Sequence, residues 1–231
     1  MKRNIRILQL IEGAKAATGT AVIIDAFRAF SLEAYLLAGG AKEIYPIGDA
    51  KIAYRMKEET PDAILAGERG GRILEGFDLG NTPSDAVKMN VRNKTVIHTT
   101  SAGTQGVANA AFADEILGAS LVNARATAEY LLKTGKQDIS LVCMGLAGRE
   151  ETEEDTLCAR YIKAILEGEE ATLDMPTELD SLRYTSGAKF FDPAQSDAFP
   201  TEDFFLCTAL DRFDFVMRYD RSTGKMQKIT L

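Results

Sequence analysis

The sequence contains little histidine or cysteine, which restricts the metals that it can bind. One histidine (His98) and three cysteines (Cys143, Cys158 and Cys207) occur in 231 residues, and no cysteine pair has zinc-ribbon spacing. An odd number of cysteines argues against a disulfide framework. A histidine- or cysteine-based transition-metal site is therefore disfavoured. Any metal should take oxygen ligands, as Mg²⁺ does.

Basic residues are outnumbered by acidic ones, and long apolar runs are missing. The chain carries 27 Lys and Arg residues against 34 Asp and Glu residues, for a formal net charge of −7. Nucleic acid is not an expected partner, because binding its phosphates needs a basic face. No apolar segment is long enough to cross a bilayer, and the first residues lack a signal-peptide pattern. We therefore expect a cytoplasmic protein without a membrane partner.

Strand-like and helix-like segments alternate along most of the chain, and this alternation predicts the fold class. The β-branched runs are Thr20–Asp25, Glu43–Ile47, Ala63–Leu65, Thr95–Thr100, Glu115–Leu117 and Ile139–Cys143. The segments with helical periodicity are Ser31–Ala38, Ala50–Glu59, Thr104–Phe112, Ala124–Lys133 and Glu153–Glu167. The pattern predicts an α/β fold, with three α/β/α layers around a mostly parallel sheet.

The end of the chain adds an antiparallel feature. Phe213–Tyr219 and Lys225–Leu231 flank a Ser-Thr-Gly turn, which predicts a C-terminal hairpin and therefore a mixed sheet. The size of the chain and its 45% hydrophobic content suit one domain over residues 1–231, or two closely packed lobes. No obvious exposed apolar helix in the sequence indicates a dimer, so a homodimer is neither predicted nor excluded.

Polar clusters follow four of the predicted strands. They are Asp25 with Arg28, Glu68 with Arg69, the hydroxyl-rich loop Thr99–Thr104, and Cys143–Arg149. In open α/β sheets, ligands bind outside the carboxyl ends of the strands. We therefore expect the four clusters to meet in one crevice.

Two glycine-containing loops have the composition of an anion site. Gly67–Gly71 combines a carboxylate, a guanidinium and glycines, which suits an anion held beside a hard cation; a tight turn with an ion pair would use the same residues. Thr99–Thr104 places hydroxyl groups before a helix N-terminus, as in an oxyanion cradle. Ordinary helix capping is the alternative for that loop.

Single residues in these clusters allow more than one role. Asp25 suits the role of a metal ligand, an attacking carboxylate or a helix cap. A haloacid dehalogenase would have a second aspartate two residues later, and this chain has Phe27 there, which argues against that class. Cys143 and Arg149 have the C-x5-R spacing of cysteine phosphatases, but Cys143 also fits a buried strand end. Glu153 and Glu154 are best explained by the dipole of the helix that they begin; the alternative is that Asp155 or Glu154 turns into the cleft.

Several motifs, in order and spacing from about Val22 to Val216, resemble the 2-phosphosulfolactate phosphatase family. They are Val22–Ala29, Gly67–Gly71, Glu75–Pro83, Thr99–Thr104 and Glu154–Ala159. The resemblance implies an α/β/α fold and a magnesium-dependent phosphatase, known from coenzyme M biosynthesis, that acts on a phosphate ester of a small, highly anionic acid. Ala102 departs from the family, which usually has asparagine there, so the acid recognised could differ.

Together, these observations predict a Mg²⁺-dependent phosphomonoesterase that converts 2-phosphosulfolactate to sulfolactate and phosphate. The expected metal ligands are Asp25, Glu68 and Asp155, and the expected catalytic residues are Asp25, Arg28 and Ser101. The expected substrate-binding residues are Arg69, Gly70, Thr100, Gly103, Thr104, Arg125 and Arg149. The alternatives are a metal-independent cysteine phosphatase using Cys143 and a non-catalytic binder of small sulfonated or phosphorylated acids.

Overall fold

The computed structural model describes residues 3–230, whose strands form one ten-stranded sheet. The strands are β1 Asn4–Gln9, β2 Thr20–Ile24, β3 Glu43–Pro46, β4 Ile64–Arg69, β5 Arg72–Ile73, β6 Thr95–Thr99, β7 Glu115–Ala119, β8 Asp138–Cys143, β9 Phe215–Asp220 and β10 Lys225–Thr230. The helices are α1 Leu10–Ala16, α2 Ala29–Ala38, α3 Ala50–Glu59, α4 Pro83–Ala86, α5 Gly103–Asn109, α6 Ala124–Lys133, α7 Glu153–Glu167, α8 Met175–Ser181 and α9 Thr201–Cys207.

The sheet is covered on both faces, as the α/β/α prediction requires. Alternate residues of β2 belong to different apolar clusters: Ala21 and Ile23 pack in one, and Val22 and Ile24 pack in the other. Successive side chains of a strand point to opposite faces, so each cluster covers one face of the sheet. The mainly parallel α/β class is thus confirmed. No helix within residues 3–230 has both the length and the apolar character to cross a membrane.

The C-terminal hairpin is also confirmed, and it sits in the middle of the sheet. The strand order is β1-β8-β2-β7-β9-β10-β3-β6-β4-β5. The hairpin of β9 and β10 pairs antiparallel with β7 on one side and with β3 on the other. Leu231, the last residue of the predicted hairpin, lies outside the described residues.

The hairpin separates two parallel groups, β1-β8-β2-β7 and β3-β6-β4, that run in opposite senses along the bonded sheet. In a flat sheet their carboxyl ends would lie at opposite edges. Neighbouring strands are rotated by roughly 20–25°, which accumulates to roughly 100–125° between β2 and β6. This twist accounts for the contact between the loops after those two strands, where Gly103 N–H donates to Asp25 Oδ2 at 2.7 Å.

Short helices from Met175 to Cys207, which the periodicity analysis missed, cover part of this junction. Three short 3₁₀ turns, among them Ala188–Phe191, separate α8 from α9. They pack through an aromatic cluster in which the Phe190 ring meets Phe27, Phe199 and Phe204 at centroid distances of 5.1, 5.9 and 6.2 Å. We call this segment, 175–207, the C-terminal cap.

Gly67 and Gly70 offer a matched test of the β4 end. A Cβ at Gly67, where φ is +144°, would lie 2.0 Å from the Thr99 carbonyl oxygen, whereas a Cβ at Gly70 would meet nothing within 4 Å. Gly67→Ala should lower the free energy of unfolding by about 3–5 kcal/mol, and Gly70→Ala by about 1 kcal/mol. Urea denaturation measures both, and equal losses would contradict the close approach of β4 and β6.

Candidate active site

A cavity of about 300 Å³ lies where the loops after β2, β4, β6 and β8 meet beneath the C-terminal cap. These are the four strand ends that carry the polar clusters noted in the sequence. The wall of the cavity is formed by Asp25, Phe27, Arg28, Glu68, Gly70, Gly71, Asn81, Ser101, Ala102, Gly145, Leu146, Ala147, Glu154, Lys189 and Phe199.

Asp25 is a buried carboxylate held by the backbone. Its Oδ1 accepts from Ala29 N–H at 3.0 Å and its Oδ2 accepts from Gly103 N–H at 2.7 Å. The pKa of Asp25 is raised to about 6, mainly by burial and also by the charges of Glu68 and Glu154, against the lowering effect of these two bonds. The side chain therefore lies among other acidic groups at the base of the cavity.

Glu68 joins the glycine loop after β4 to the hydroxyl loop after β6. Its Oε1 accepts from Ser101 N–H at 2.6 Å, and its Oε2 accepts from Gly71 N–H at 2.6 Å and from Ser101 Oγ at 3.2 Å. Gly70 N–H donates to Ser101 Oγ at 3.3 Å. The N–H groups of Gly71 and Ser101 are thus occupied by the protein's own carboxylate, and that of Gly70 by a hydroxyl group.

Asp155, expected as a metal ligand, lies behind the cavity rather than on its wall. Its Oδ1 accepts from Ala26 N–H at 2.7 Å and its Oδ2 from Gly145 N–H at 2.8 Å, so it ties the loops after β2 and β8 to α7. Burial raises its pKa well above the ordinary value, helped by the charges of Glu154 and Asp25. In this structure Asp155 supports these loops, and its expected role as a metal ligand, direct or through water, stays a prediction.

Glu154, rather than its neighbour Asp155, lies on the cavity wall. It is buried at 3% exposure, and its Oε2 has no hydrogen-bond partner among the described residues. Burial raises its pKa, and the Lys189 charge opposes that shift. The helix-dipole interpretation of Glu154 is therefore insufficient, because the carboxylate faces the cavity.

The acidic residues of the cavity wall are the candidate ligands of the expected Mg²⁺. Within residues 3–230, no three Asp, Glu, His or Cys side chains are arranged to hold a metal ion by themselves. Mg²⁺ is commonly held by one or two carboxylates, with water and substrate phosphate completing its shell. Glu154 Oε2 and Asn81 Oδ1 are buried wall oxygens without a partner, and they suit such partial coordination.

The expected arginine clamps are mostly engaged elsewhere. Arg28 lies on the wall, but its Nη1 pairs with Asp203 Oδ2 at 2.6 Å, and both side chains are almost fully buried. Arg69 is outside the wall, where it donates to Thr99 Oγ1 at 2.9 Å and to two backbone carbonyls. Neither guanidinium is free to bind a substrate without rearrangement.

The other two arginines lie away from the cavity. Arg125 lines a different cavity, where it pairs with Glu170 and Asp211, because α6 directs it to that side of the sheet. Arg149 is exposed and is not part of the wall. The structure thus does not bring Arg125 and Arg149 to the site that they were expected to serve.

The hydroxyl loop after β6 divides into two parts. Thr100 and Thr104 bond each other as a local cap, in which Thr100 N–H donates to Thr104 Oγ1 at 2.8 Å and Thr104 N–H donates to Thr100 Oγ1 at 3.2 Å. Neither lies on the wall, and Gly103 contributes its N–H to Asp25. Ser101 and Gly70 do face the cavity, as expected.

Cys143 lacks the surroundings of a catalytic thiolate. It is fully buried, lies outside the cavity wall, and donates from Sγ to the Asp155 carbonyl oxygen at 3.4 Å. Burial, followed by the Asp155 charge, raises the pKa of the thiol far above its ordinary value. Catalytic cysteines are accessible and have a lowered pKa, so these surroundings do not favour the cysteine-phosphatase alternative.

Lys189 and Phe199 are wall residues that the polar clusters at the strand ends did not predict. Lys189 and Phe199 come from the C-terminal cap, whose short turns carry no periodic pattern. The one available signal was the density of phenylalanine between residues 190 and 205.

The fold and the site define an α/β protein with an acidic cavity at the carboxyl ends of its parallel strands. The model of the 2-phosphosulpholactate phosphatase family matches residues 5–222. The chain belongs to that family, as its motifs predicted.

Curated relatives carry the same description. A protein of Bacillus subtilis, described as a probable 2-phosphosulfolactate phosphatase, is 33% identical over 201 residues, which cover 85% of each chain. One from Caldicellulosiruptor saccharolyticus with the same description is 42% identical over 144 residues, or 61% of this chain and 60% of the relative. A third, from Caldanaerobacter subterraneus, is 33% identical over 215 residues, with 84% and 85% covered.

The buried state of Asp25 predicts a pH dependence of stability. Its pKa is raised from 3.8 to about 6, so the folded protein binds this proton more tightly than the unfolded chain. Stability should therefore fall as the pH rises from about 4 to about 6, by on the order of 2–3 kcal/mol. Denaturation in EDTA buffers measures this slope. Asp25→Asn should reduce it, and an unchanged slope in that variant would contradict the assignment.

The cysteines provide a second prediction. All three are buried, so the folded protein should react with a disulfide reagent such as Ellman's reagent only after denaturant is added. Cys143→Ser should keep the phosphatase turnover proposed below within about threefold. Rapid labelling of Cys143 in the native protein, together with loss of turnover in the serine variant, would restore the thiol mechanism.

Proposed function

We propose that this protein is a Mg²⁺-dependent phosphatase that hydrolyses 2-phosphosulfolactate, a phosphate monoester of a small anionic acid, as the names of its relatives suggest. The observation that carries the proposal is the acidic wall of the cavity. Asp25, Glu68 and Glu154 lie there together, and burial, with a smaller Coulombic contribution from Glu68 and Glu154, raises the pKa of Asp25. A site for anions alone would avoid such a cluster, whereas a divalent cation would neutralise it.

In this proposal the cation is held by oxygen atoms of the wall. Among residues 3–230, Glu154 Oε2 and Asn81 Oδ1 have no hydrogen-bond partner, and Asp25 and Glu68 supply nearby negative charge, directly or through water. When bound, Mg²⁺ would neutralise charge on the phosphoryl group and orient it. Asp155 serves the same site from behind, by fixing the loops that carry Asp25 and Gly145.

The residues of the chain then position the reacting groups. Ser101 Oγ faces the cavity and bonds Glu68, so it is placed to orient the attacking water or a phosphate oxygen. Asp25 is better suited to act as a fixed charge than as the attacking group, because each of its oxygens already accepts a backbone N–H. Arg28 holds the cap against the loop after β2 through Asp203.

The test is phosphate release from 2-phosphosulfolactate and other phosphorylated hydroxy acids, with and without added Mg²⁺. Activity should require the metal and stop in EDTA. Glu154→Gln should lower kcat by about 10²–10³, because it removes a preorganised charge from the site. Glu153→Gln is the matched control: the neighbouring side chain on α7 is exposed and outside the wall, so its turnover should be unchanged.

Two outcomes would contradict the proposal. Full turnover in EDTA would remove the metal from the mechanism. Saturable binding of the acids without phosphate release from any ester would leave the non-catalytic binder as the function.

A further inference from the structure

Lys189 places a cation on the cap side of the cavity. It belongs to the 3₁₀ turn Ala188–Phe191, and it is part of the cavity wall. Its Nζ lies 5.4 Å from the ring centroid of Phe199, 5.6 Å from that of Phe190 and 5.9 Å from that of Phe27. The ammonium group is thus held among three aromatic rings at the edge of the cavity, an arrangement that stabilises a cation.

This ammonium group forms no close ion pair, although its charge opposes the raised pKa of Glu154 at longer range. Among residues 3–230, no carboxylate oxygen lies within 4 Å of Lys189 Nζ, and no acceptor forms a hydrogen bond with it. Arg28 is the other cation of the wall, and its charge is already paired with Asp203. Lys189 is therefore the cation of the described wall that stays available for a ligand.

Lys189 and the acidic cluster belong to different parts of the chain. Asp25, Glu68 and Glu154 come from the loops after β2 and β4 and from the start of α7, whereas Lys189 comes from the C-terminal cap. A phosphoryl group held with Mg²⁺ at the carboxylates leaves a second anionic group of the same small molecule without a partner. Near apolar rings the effective dielectric is low, which strengthens an ion pair.

We propose that Lys189 binds the anionic group of the substrate that is not hydrolysed, a sulfonate or carboxylate, and so selects phosphate esters that carry a second anion. The proposal rests on the proposed phosphatase function for its kinetic test. Phe199 and Phe27 form the apolar sides of this subsite and fix the ammonium position. Lys189 contributes to substrate binding and selectivity rather than to the chemical step.

The kinetic test compares two kinds of substrate with three variants. Lys189→Met keeps the length of the side chain but removes its charge, and Lys189→Arg keeps the charge. Lys228→Met is the matched control, because Lys228 Nζ also lies over an aromatic ring, Phe215, at 4.4 Å, but Lys228 is an exposed residue of β10 outside the cavity wall. The substrates are 2-phosphosulfolactate, which carries further anions, and isopropyl phosphate, which does not.

Lys189→Met should raise KM for 2-phosphosulfolactate about 10- to 100-fold, the usual effect of losing a charged contact. Its kcat should change less than threefold, and its KM for isopropyl phosphate should stay within threefold of the wild-type value. Lys189→Arg should recover most of the affinity, and Lys228→Met should match the wild type. Equal losses with both substrates would place Lys189 at the phosphoryl group, and unchanged constants would remove it from the site; either result overturns the proposal.

Calorimetric binding of sulfolactate, which has no phosphate, separates this proposal from the phosphatase function. The wild type and Lys228→Met should bind it, and Lys189→Met should bind it at least tenfold more weakly. That pattern supports the subsite even where no ester is hydrolysed, in which case only the phosphatase proposal fails. Equal binding by all the variants overturns the subsite even where phosphate is released, and thermal melts of each variant show that it is folded.

Discussion

The site depends on backbone N–H groups that hold buried carboxylates in fixed positions. Asp25, Glu68 and Asp155 each accept N–H bonds through both oxygens. Burial and neighbouring acidic groups disfavour the charged forms of Asp25 and Asp155, and these bonds oppose that effect. Most of the donors belong to loops other than the one that carries the acceptor. The same bonds that orient the charges therefore join the loops after β2, β4, β6 and β8.

This arrangement explains how two oppositely directed groups of strands form one site. The strand pairing between β10 and β3 is limited to Met226 and Ile44, so the sheet itself joins the groups weakly. Asp25 and Gly103 make a contact between the groups directly at the cavity. On the cap side, the buried Arg28–Asp203 pair adds a further connection, and breaking such a pair leaves an uncompensated buried charge. The residues around the cavity therefore connect the two groups of strands and also form the candidate site.

The sequence predicted long periodic elements well and side-chain direction less well. The bounds of α3, α6 and α7 agree with the periodicity analysis, because amphipathic helices of ten or more residues carry a clear pattern. Adjacent residues on a helix differ in direction by about 100°, so a one-residue difference in phase decides which of Glu154 and Asp155 faces the cavity. Lys189 lies in a single 3₁₀ turn, and its position depends on tertiary packing that no local pattern encodes.

The glycine loops illustrate a more general ambiguity. N–H groups that are available to an anion are equally available to a carboxylate of the same chain, and here Glu68 and Asp25 occupy them. Because their N–H groups are bonded to Glu68 and Asp25, the loops present negative charge to the cavity and do not attract an anion. A dianionic phosphate near Asp25, Glu68 and Glu154 would be repelled unless positive charge accompanied it. Arg28 is already paired with Asp203, so in the proposed function that charge comes from a bound cation, and Lys189 serves a second anionic group.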